Sequence, residues 1–433
     1  MGRILQMTIN KVQTNYGSFR DSLRAPIHRW FTYPAGYSHK FVKAKIDENN
    51  LTAGCWIADP FLGTGTTSLV GKIEGFNTLG VEAHPFVYWV AKTKMKFDYD
   101  LNGLYKDIEN AIRLFRAKEL TRYDDSLPAL IRKCFSEDNL AKICIIKKTI
   151  LESNIDSSHV DIMKLALTAT LRVVTTAGSG WPYIAPSKYA EKAVSRDAFS
   201  EFEKQCMLML SDLSYVHSLG IPDSIHKIVQ GDARKLSEYT PPESIDLIVT
   251  SPPYLNNYDY ADRTRLETYF WGIYDNWGAI TKNVRDHLMI AATTQVRIGD
   301  MNTVKQCPTI QNAAPEIHKE LISKINLLTE MRMIKPGKKT YDYMVAGYFE
   351  DMLKVIQESY VILKPGSKFV LVLGDSAPYG IYIPTEEVIG RLAVAVGFKG
   401  YQIEVIRKRG EKWANNPQRH NIPLKESILT IQK

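Results

Sequence analysis

The stretch "IDLIVTSPPY", residues 245–254, joins two unlike halves. Ile245 to Val249 is an apolar, partly β-branched run, the pattern of a strand buried on both faces of a parallel sheet. Such a strand ordinarily turns into a helix. Here it ends in Ser251, two prolines and Tyr254. Two prolines remove backbone donors and fix φ. The nearby carbonyls, with the Ser251 hydroxyl, are left as rigid acceptors beside a flat ring. The carboxyl end of an open α/β sheet is where ligands bind. A planar ring with an exocyclic amine suits such a turn: the ring stacks on Tyr254 and the amine donates to Ser251 and the carbonyls. The plain alternative is a proline-stiffened bulge.

Working outward, the βα rhythm recurs on both sides. "GCWIADP" (54–60) and "NTLGVEA" (77–83) are strands separated by a glycine turn and a helical pattern, a βαβ unit. Residues 101–218 are helix-periodic with few strand signals. Strand patterns return at 226–232, 245–251, 367–375, 401–408 and 426–432. No helix separates the last two, so they are expected to pair as a hairpin, one of them antiparallel at the sheet edge. "GYFEDMLKVIQESYVIL" reads as a helix stopped by "KPG", and "IPTEEVIGRLAVAVGF" as another. Residues 275–340 read as an irregular segment. The fold expected is α/β: a seven-stranded, mostly parallel, Rossmann-like sheet with an antiparallel C-terminal hairpin. The domain division is 1–98, a helical insertion at 99–225 as a possible recognition domain, and 226–433 with the inserted segment 275–340.

Bulk properties agree with a water-soluble chain. The 433 residues suggest two or three structural units, and 45% hydrophobic content is ample for a large core. No run is long and apolar enough to span a membrane, and the N-terminus has no secretory pattern. Five cysteines, odd in number and without a CxxC pair, point to a reducing cytoplasm and away from structural zinc. The net charge of +8 is compatible with a polyanionic partner without requiring one.

Three more strand ends carry chemistry. "ADPFLGTGTTSLV" places Gly63 and Gly65 between a strand and a helix, where backbone can approach a ligand. Ser68 replaces the third glycine of a dinucleotide fingerprint, and no Walker lysine follows. Glu82 ends the second strand, where an acid can bind both ribose hydroxyls. Asp232, in "GDAR", ends the third and can accept an adenine amine. An amide nest, a ribose acceptor and a base acceptor describe a nucleoside with a short polar tail and no phosphate clamp.

"DPFLGTGTTSLV", "GVEAHPFVYWVAK", "GDAR" and "TSPPY" together resemble the motif series of the S-adenosylmethionine-dependent amino-methyltransferases of DNA. "IHRWFTYPAGYSHKFV" at 27–42 resembles the segment that precedes the glycine motif there. The resemblance spans nearly all seven strands in unpermuted order and implies a class I methyltransferase fold. The SPPY form is most typical of the cytosine-N4 subgroup, whereas adenine-N6 enzymes more often carry Asp or Asn in the serine position. Carried onto this sequence, the cofactor set is Tyr33, Pro34, Asp59, Phe61, Gly63, Gly65, Thr67, Glu82, Asp232 and Ala233, with Tyr33 and Pro34 near the methionine group. Ser251, Pro252, Pro253 and Tyr254 form the catalytic turn.

The resemblance implies double-stranded DNA as partner, a flipped-out target base and a possible cognate restriction endonuclease, with no metal. Tyr258, Arg263 and Arg265 after the turn, and Arg407, Lys408 and Arg409 in the basic loop 407–421, are candidates for DNA contact. Their alternative is a packed helix and a solvated loop. Adenine N6, an RNA amine, or a module that binds without catalysis remain open. A C5-cytosine enzyme would need a cysteine after a proline, and only the reverse pair Cys307-Pro308 occurs.

Overall fold

The computed structural model describes residues 19–33, 36–120, 127–177, 184, 186, 196–296, 299, 301–409 and 422–433. The strand runs do form strands: β1 (Trp56–Asp59), β2 (Asn77–Glu82), β3 (His226–Gln230), β4 (Ile245–Thr250), β5 (Leu363–Gly374), β6 (Gly400–Arg409) and β7 (Leu424–Gln432). Among the described residues these seven make one sheet in the order β3-β2-β1-β4-β5-β7-β6. The first five are parallel, and β7 is antiparallel to both β5 and β6. The order reverses between β1 and β4, which opens a crevice at their carboxyl ends.

One expectation needs correction. The antiparallel strand is β7, and it lies inside the sheet, with β6 as the edge. The side chains explain the choice. Ser427 to Leu429 and Ile431 of β7 are buried, whereas β6 carries exposed Gln402, Arg407 and Lys408. A charged strand tolerates an edge, where it blunts unwanted pairing.

Alternation along the strands divides the core into two layers. Ile57, Leu247, Val249, Val370, Val372 and Ile428 face α1 (His39–Glu48) and α2 (Thr66–Ile73). Ala58, Ile248, Phe369, Leu371, Leu373, Leu429 and Ile431 face the opposite layer. α3 (Pro85–Met95) completes the α1–α2 side and packs on β2 and β3.

The insertion between β2 and β3 is helical: α4 (Leu101–Arg116), α5 (Ala129–Cys134), α6 (Glu137–Glu152), α7 (Ser157–Val174) and α8 (Ala198–Ser218). It shares one apolar core with α3 and with the helices after the SPPY turn, α9 (Tyr260–Arg263) and α10 (Arg265–Trp271). A buried ion pair fastens the two: Arg172 donates from Nε and Nη2 to the Glu267 carboxylate at 2.5 and 2.9 Å.

The segment read as irregular is more ordered than expected. It holds α11 (Trp277–Asn283), α12 (Pro308–Ala313) and the twenty-residue α13 (Pro315–Ile334). Ile317, Leu321, Ile325 and Leu328 of α13 recur at helical spacing and are buried on α14 (Tyr341–Ile362). α14 and α15 (Thr385–Val396) make the second layer on the sheet. The five cysteines are all free thiols. Among the described residues, no helix is long and apolar enough to cross a membrane.

Candidate active site

A cavity with about 920 Å³ of open space, its mouth included, lies at the carboxyl ends of β1 to β4. Its floor is the glycine turn. Gly63 and Gly65 sit at φ +55° and +94°, a region closed to most side chains, and Gly65 caps α2. Asp59 ties this turn from beneath. Its carboxylate accepts from the Phe61 amide at 3.0 Å, the Thr250 hydroxyl at 2.5 Å and the Tyr37 hydroxyl at 2.8 Å. Thr67 donates to the Val249 carbonyl at 3.0 Å and bonds Tyr37. Asp59 and Thr67 are buried at 1% and 0% exposure and stay behind the wall. They brace β1, β4 and the turn against each other. Gly65 and Pro252 also lie outside the cavity lining.

Glu82 faces in. One carboxylate oxygen accepts from the Gly63 amide at 2.8 Å, the other from the His84 amide at 2.8 Å. Burial pushes its pKa up to about 7, although those amides pull it down. The group is positioned by two backbone donors yet short of partners for a full charge. Hydroxyls entering the cavity would supply them. His84 stands beside it as a neutral ring, since burial lowers it to about 3, and its Nε2 bonds the Thr264 hydroxyl at 2.7 Å.

Asp232 also lines the cavity, at the end of β3. Arg234 holds it, with Nε and Nη2 donating to the carboxylate at 2.8–3.0 Å and the Arg234 amide at 2.9 Å. Burial opposes ionisation there, but Arg234 outweighs it and keeps the carboxyl below its usual range. Asp351 takes the far side of the same guanidinium at 3.0 Å. Asp232 is therefore a fixed anion with part of its acceptor capacity already used.

The lid comes from three places. Tyr33, Gly36 and Tyr37 arrive on the N-terminal segment, which Asp212 of α8 pins by accepting from the Ile27 amide, Arg29 and Trp30 Nε1. Tyr260 approaches Tyr33 with ring centroids 5.9 Å apart. His287 to Met289 and Gln295 close the mouth, with Gln295 clamping its own loop through Ala291, Ala292 and Met289. Pro34 lies outside the described residues.

Ser251 and Pro253 reach the cavity from β4. Ser251 donates its hydroxyl proton to the Val372 carbonyl at 3.0 Å. It is also in hydrogen-bond contact with the Tyr254 hydroxyl, and its remaining acceptor capacity is left for a donor from the cavity. Tyr254 is 5% exposed and does not line the cavity. Its hydroxyl donates to Glu426 at 2.9 Å, and the Arg409 guanidinium lies over its ring at 5.1 Å.

The candidates for DNA contact separate. Arg263 is 7% exposed, and burial lowers it to about 10, so it is not a surface phosphate ligand. Arg265 pairs with Asp262 at 3.1 Å and lies over the Trp277 ring at 5.2 Å. Those two expectations give way to packing, because the α9–α10 helices close onto the insertion. Arg407 grips Glu426 at 2.5 Å, Lys408 is exposed, and Tyr258 is half-buried against Tyr260.

Of the residues expected at the cofactor, Tyr33, Phe61, Gly63, Glu82, Asp232 and Ala233 line the cavity. Tyr37, His84, Tyr260 and Gln295 line it too and were not expected there. Tyr37 and His84 lie within stretches already singled out. Tyr260, at the start of α9, belongs to the aromatic stretch after the SPPY turn, whereas Gln295 carried no local signal. Among the described residues no lysine or arginine lines the cavity, and the two acids there are held by backbone and Arg234. The chemistry suits a neutral or cationic nucleoside and gives a phosphate no partner.

Fold and site thus define a Rossmann-like α/β protein with a cavity at its topological switch point, an arrangement consistent with the methyltransferase fold. The chain is similar over nearly its whole length to type II methyltransferases. It is 22% identical to M.BsoBI of Geobacillus stearothermophilus over 96% of this chain and 87% of that protein. It is 22% identical to M.AvaI of Nostoc sp. over 90% and 82%, and 23% identical to M.MvaI of Kocuria varians over 92% and 87%. No family model matches the chain.

Proposed function

We propose that this protein is a site-specific DNA methyltransferase that transfers the methyl group of S-adenosylmethionine to the N4 amine of cytosine. The observation that carries the reading is Ser251. With its proton committed to the Val372 carbonyl, it can only accept at the cavity, where an exocyclic amine would donate. The likeness to type II methyltransferases supports DNA as substrate and a role in a restriction-modification system.

The cavity fits the cofactor on three counts. Glu82 takes the ribose hydroxyls, Asp232 the adenine amine, and the lining offers no clamp for a phosphate. Bound there, the cofactor supplies an electrophilic methyl on a sulfonium. Tyr33 and Phe61 flank it, with Pro34 assigned to the methionine end. Ala233 borders the adenine, while Asp59, Gly65 and Thr67 support the turn from behind.

The cytosine amine is a weak nucleophile because its lone pair is delocalised into the ring. Ser251 Oγ and the carbonyl of Ser251 or Pro252 would accept its hydrogens out of the ring plane. That draws the nitrogen toward tetrahedral geometry and localises the lone pair for in-line attack. The cofactor, when bound, would supply the methyl for the new N–C bond at the expense of its own C–S bond, and the proton displaced from the amine would pass to solvent. Tyr254 stacks on the base, which must leave the duplex at a cost of a few kcal/mol. Lys408, exposed on β6, is assigned to the DNA backbone with Tyr258. Arg407 and Arg409 are assigned to it once released from Glu426 and Tyr254, and the helical insertion 99–225 is the candidate for reading sequence.

Genomic DNA from cells expressing the protein should contain N4-methylcytosine after digestion to nucleosides and mass separation. N6-methyladenine in its place would move the substrate to adenine. Unmodified DNA with a folded, cofactor-binding protein would refute the reading.

A further inference from the structure

The base-stacking ring of the proposed catalytic turn is already covered. Arg409 ends β6, and its guanidinium carbon lies 5.1 Å from the centroid of the Tyr254 ring. Arg409 Nη1 donates to the Asp375 carbonyl at 3.0 Å. The group rests flat on Gly374 at the carboxyl end of β5. A methyl there would come within 2.1 Å of Nη1 and 2.9 Å of Cζ. A side chain at this position would have to push the guanidinium aside.

Two features distinguish this contact from ordinary packing. Tyr254 is locked, because Glu426 accepts its hydroxyl and is itself held by Arg407 Nε at 2.5 Å. The ring therefore cannot follow a moving arginine. Arg409, by contrast, forms no ion pair among the described residues. Its guanidinium is held by a π face and a carbonyl and only at longer range by the Asp375 carboxylate, whose ionisation it favours, so it can leave without breaking a direct ion pair. A guanidinium is planar, stacks on aromatics and presents N–H donors in its plane. Cytosine's amine edge has the same attributes.

Resting on the methyltransferase reading above, we propose that Arg409 is a placeholder for the target base. In the free protein it fills the stacking position on Tyr254 and the acceptor at Asp375. The incoming base must displace it.

The test is titration of the protein with cytidine, with S-adenosylhomocysteine saturating the Glu82 and Asp232 end of the cavity so that the nucleoside is left only the Ser251 end. Arg409→Ala should bind cytidine about fivefold more tightly than the wild type, the size of one partly exposed cation–π contact. Arg409→Lys, whose ammonium cannot lie flat over Gly374, should shift in the same direction by less. Adding Tyr254→Ala to Arg409→Ala should abolish the gain. Thermal melts identify which variants are folded, and either single variant suffices. Unchanged or weaker cytidine binding in a folded variant overturns the proposal, as does undetectable binding by all of them. Absence of N4-methylcytosine in DNA treated with wild-type protein refutes the methyltransferase reading instead. Its presence, with cytidine binding insensitive to Arg409, refutes the placeholder alone.

Discussion

Glu82 offers a perturbation whose size follows from its surroundings. Burial raises its carboxyl to about 7, from an ordinary 4.5, while the Gly63 and His84 amides hold both oxygens in place. A ribose donates two hydroxyls, which the ionised form accepts better than the neutral one. Below pH 7 the nucleoside must bind a carboxylic acid or expel its proton. With a pKa of about 7, roughly one tenth of the groups are ionised at pH 6 and roughly nine tenths at pH 8, so affinity should rise about tenfold, or about 1.4 kcal/mol. Adenosine is the suitable probe for calorimetry, since it has no group titrating in that range. Asp232, held below its usual range by Arg234, contributes no competing slope there. Glu82→Gln should flatten the profile and lower affinity at pH 8, because an amide keeps one acceptor and turns a donor toward the other amide. The free protein should show the opposite sign: a carboxyl raised on folding stabilises it below pH 4.5, and this is lost as pH rises through 7. A flat adenosine affinity from pH 6 to 8, or the same slope in folded Glu82→Gln, would remove Glu82 from the ribose site.

Asp212→Ala should lower the melting temperature and weaken adenosine binding together. It strands the buried Ile27 amide and Trp30 Nε1, each worth about 1–3 kcal/mol, on the segment that carries Tyr33 and Tyr37. Loss of stability with unchanged affinity would show that the segment is not part of the lid. Tyr254→Phe keeps the ring but deprives Glu426 of one donor, so single-turnover rates should survive while stability drops by about 1 kcal/mol. Ser251→Ala should slow single-turnover transfer with DNA and cofactor affinity nearly intact, since the lost acceptor acts as the nitrogen becomes tetrahedral. Affinity loss with normal turnover would contradict that role. Duplex binding should weaken steeply with salt, and Lys408→Ala should reduce the slope by about one. An unchanged slope would move the backbone contact elsewhere.

The seven strands, the glycine turn and the acids at two further strand ends were legible in the sequence, because local chemistry specifies them. β-branched apolar runs make strands, positive φ demands glycine, and a motif's position at a strand end fixes its height in the sheet. The resemblance of "DPFLGTG" and "TSPPY" then suggested one cavity. The edge preference of β6 over β7 was also written in its charges, although pairing the last two strands as a hairpin did not order them. α13 was hidden by the turn residues around it, despite the spacing of Ile317, Leu321, Ile325 and Leu328.

What only the tertiary structure decided are contacts between residues remote in the chain. Asp59 and Thr67 look like ligand residues in their motif, yet the parallel pairing of β1 with β4 turns them to Thr250 and Val249, behind the wall. Arg263 and Arg265 look like surface cations, yet α9 and α10 fold under the insertion. Asp212 of α8 holds the N-terminal lid 185 residues away, and Glu426 reaches Tyr254 across 172. Arg409 meets Tyr254 only because β7 enters the sheet between β5 and β6. A linear pattern reports what one residue can do, but burial and partner are set by strand order, and that order is a property of the whole core.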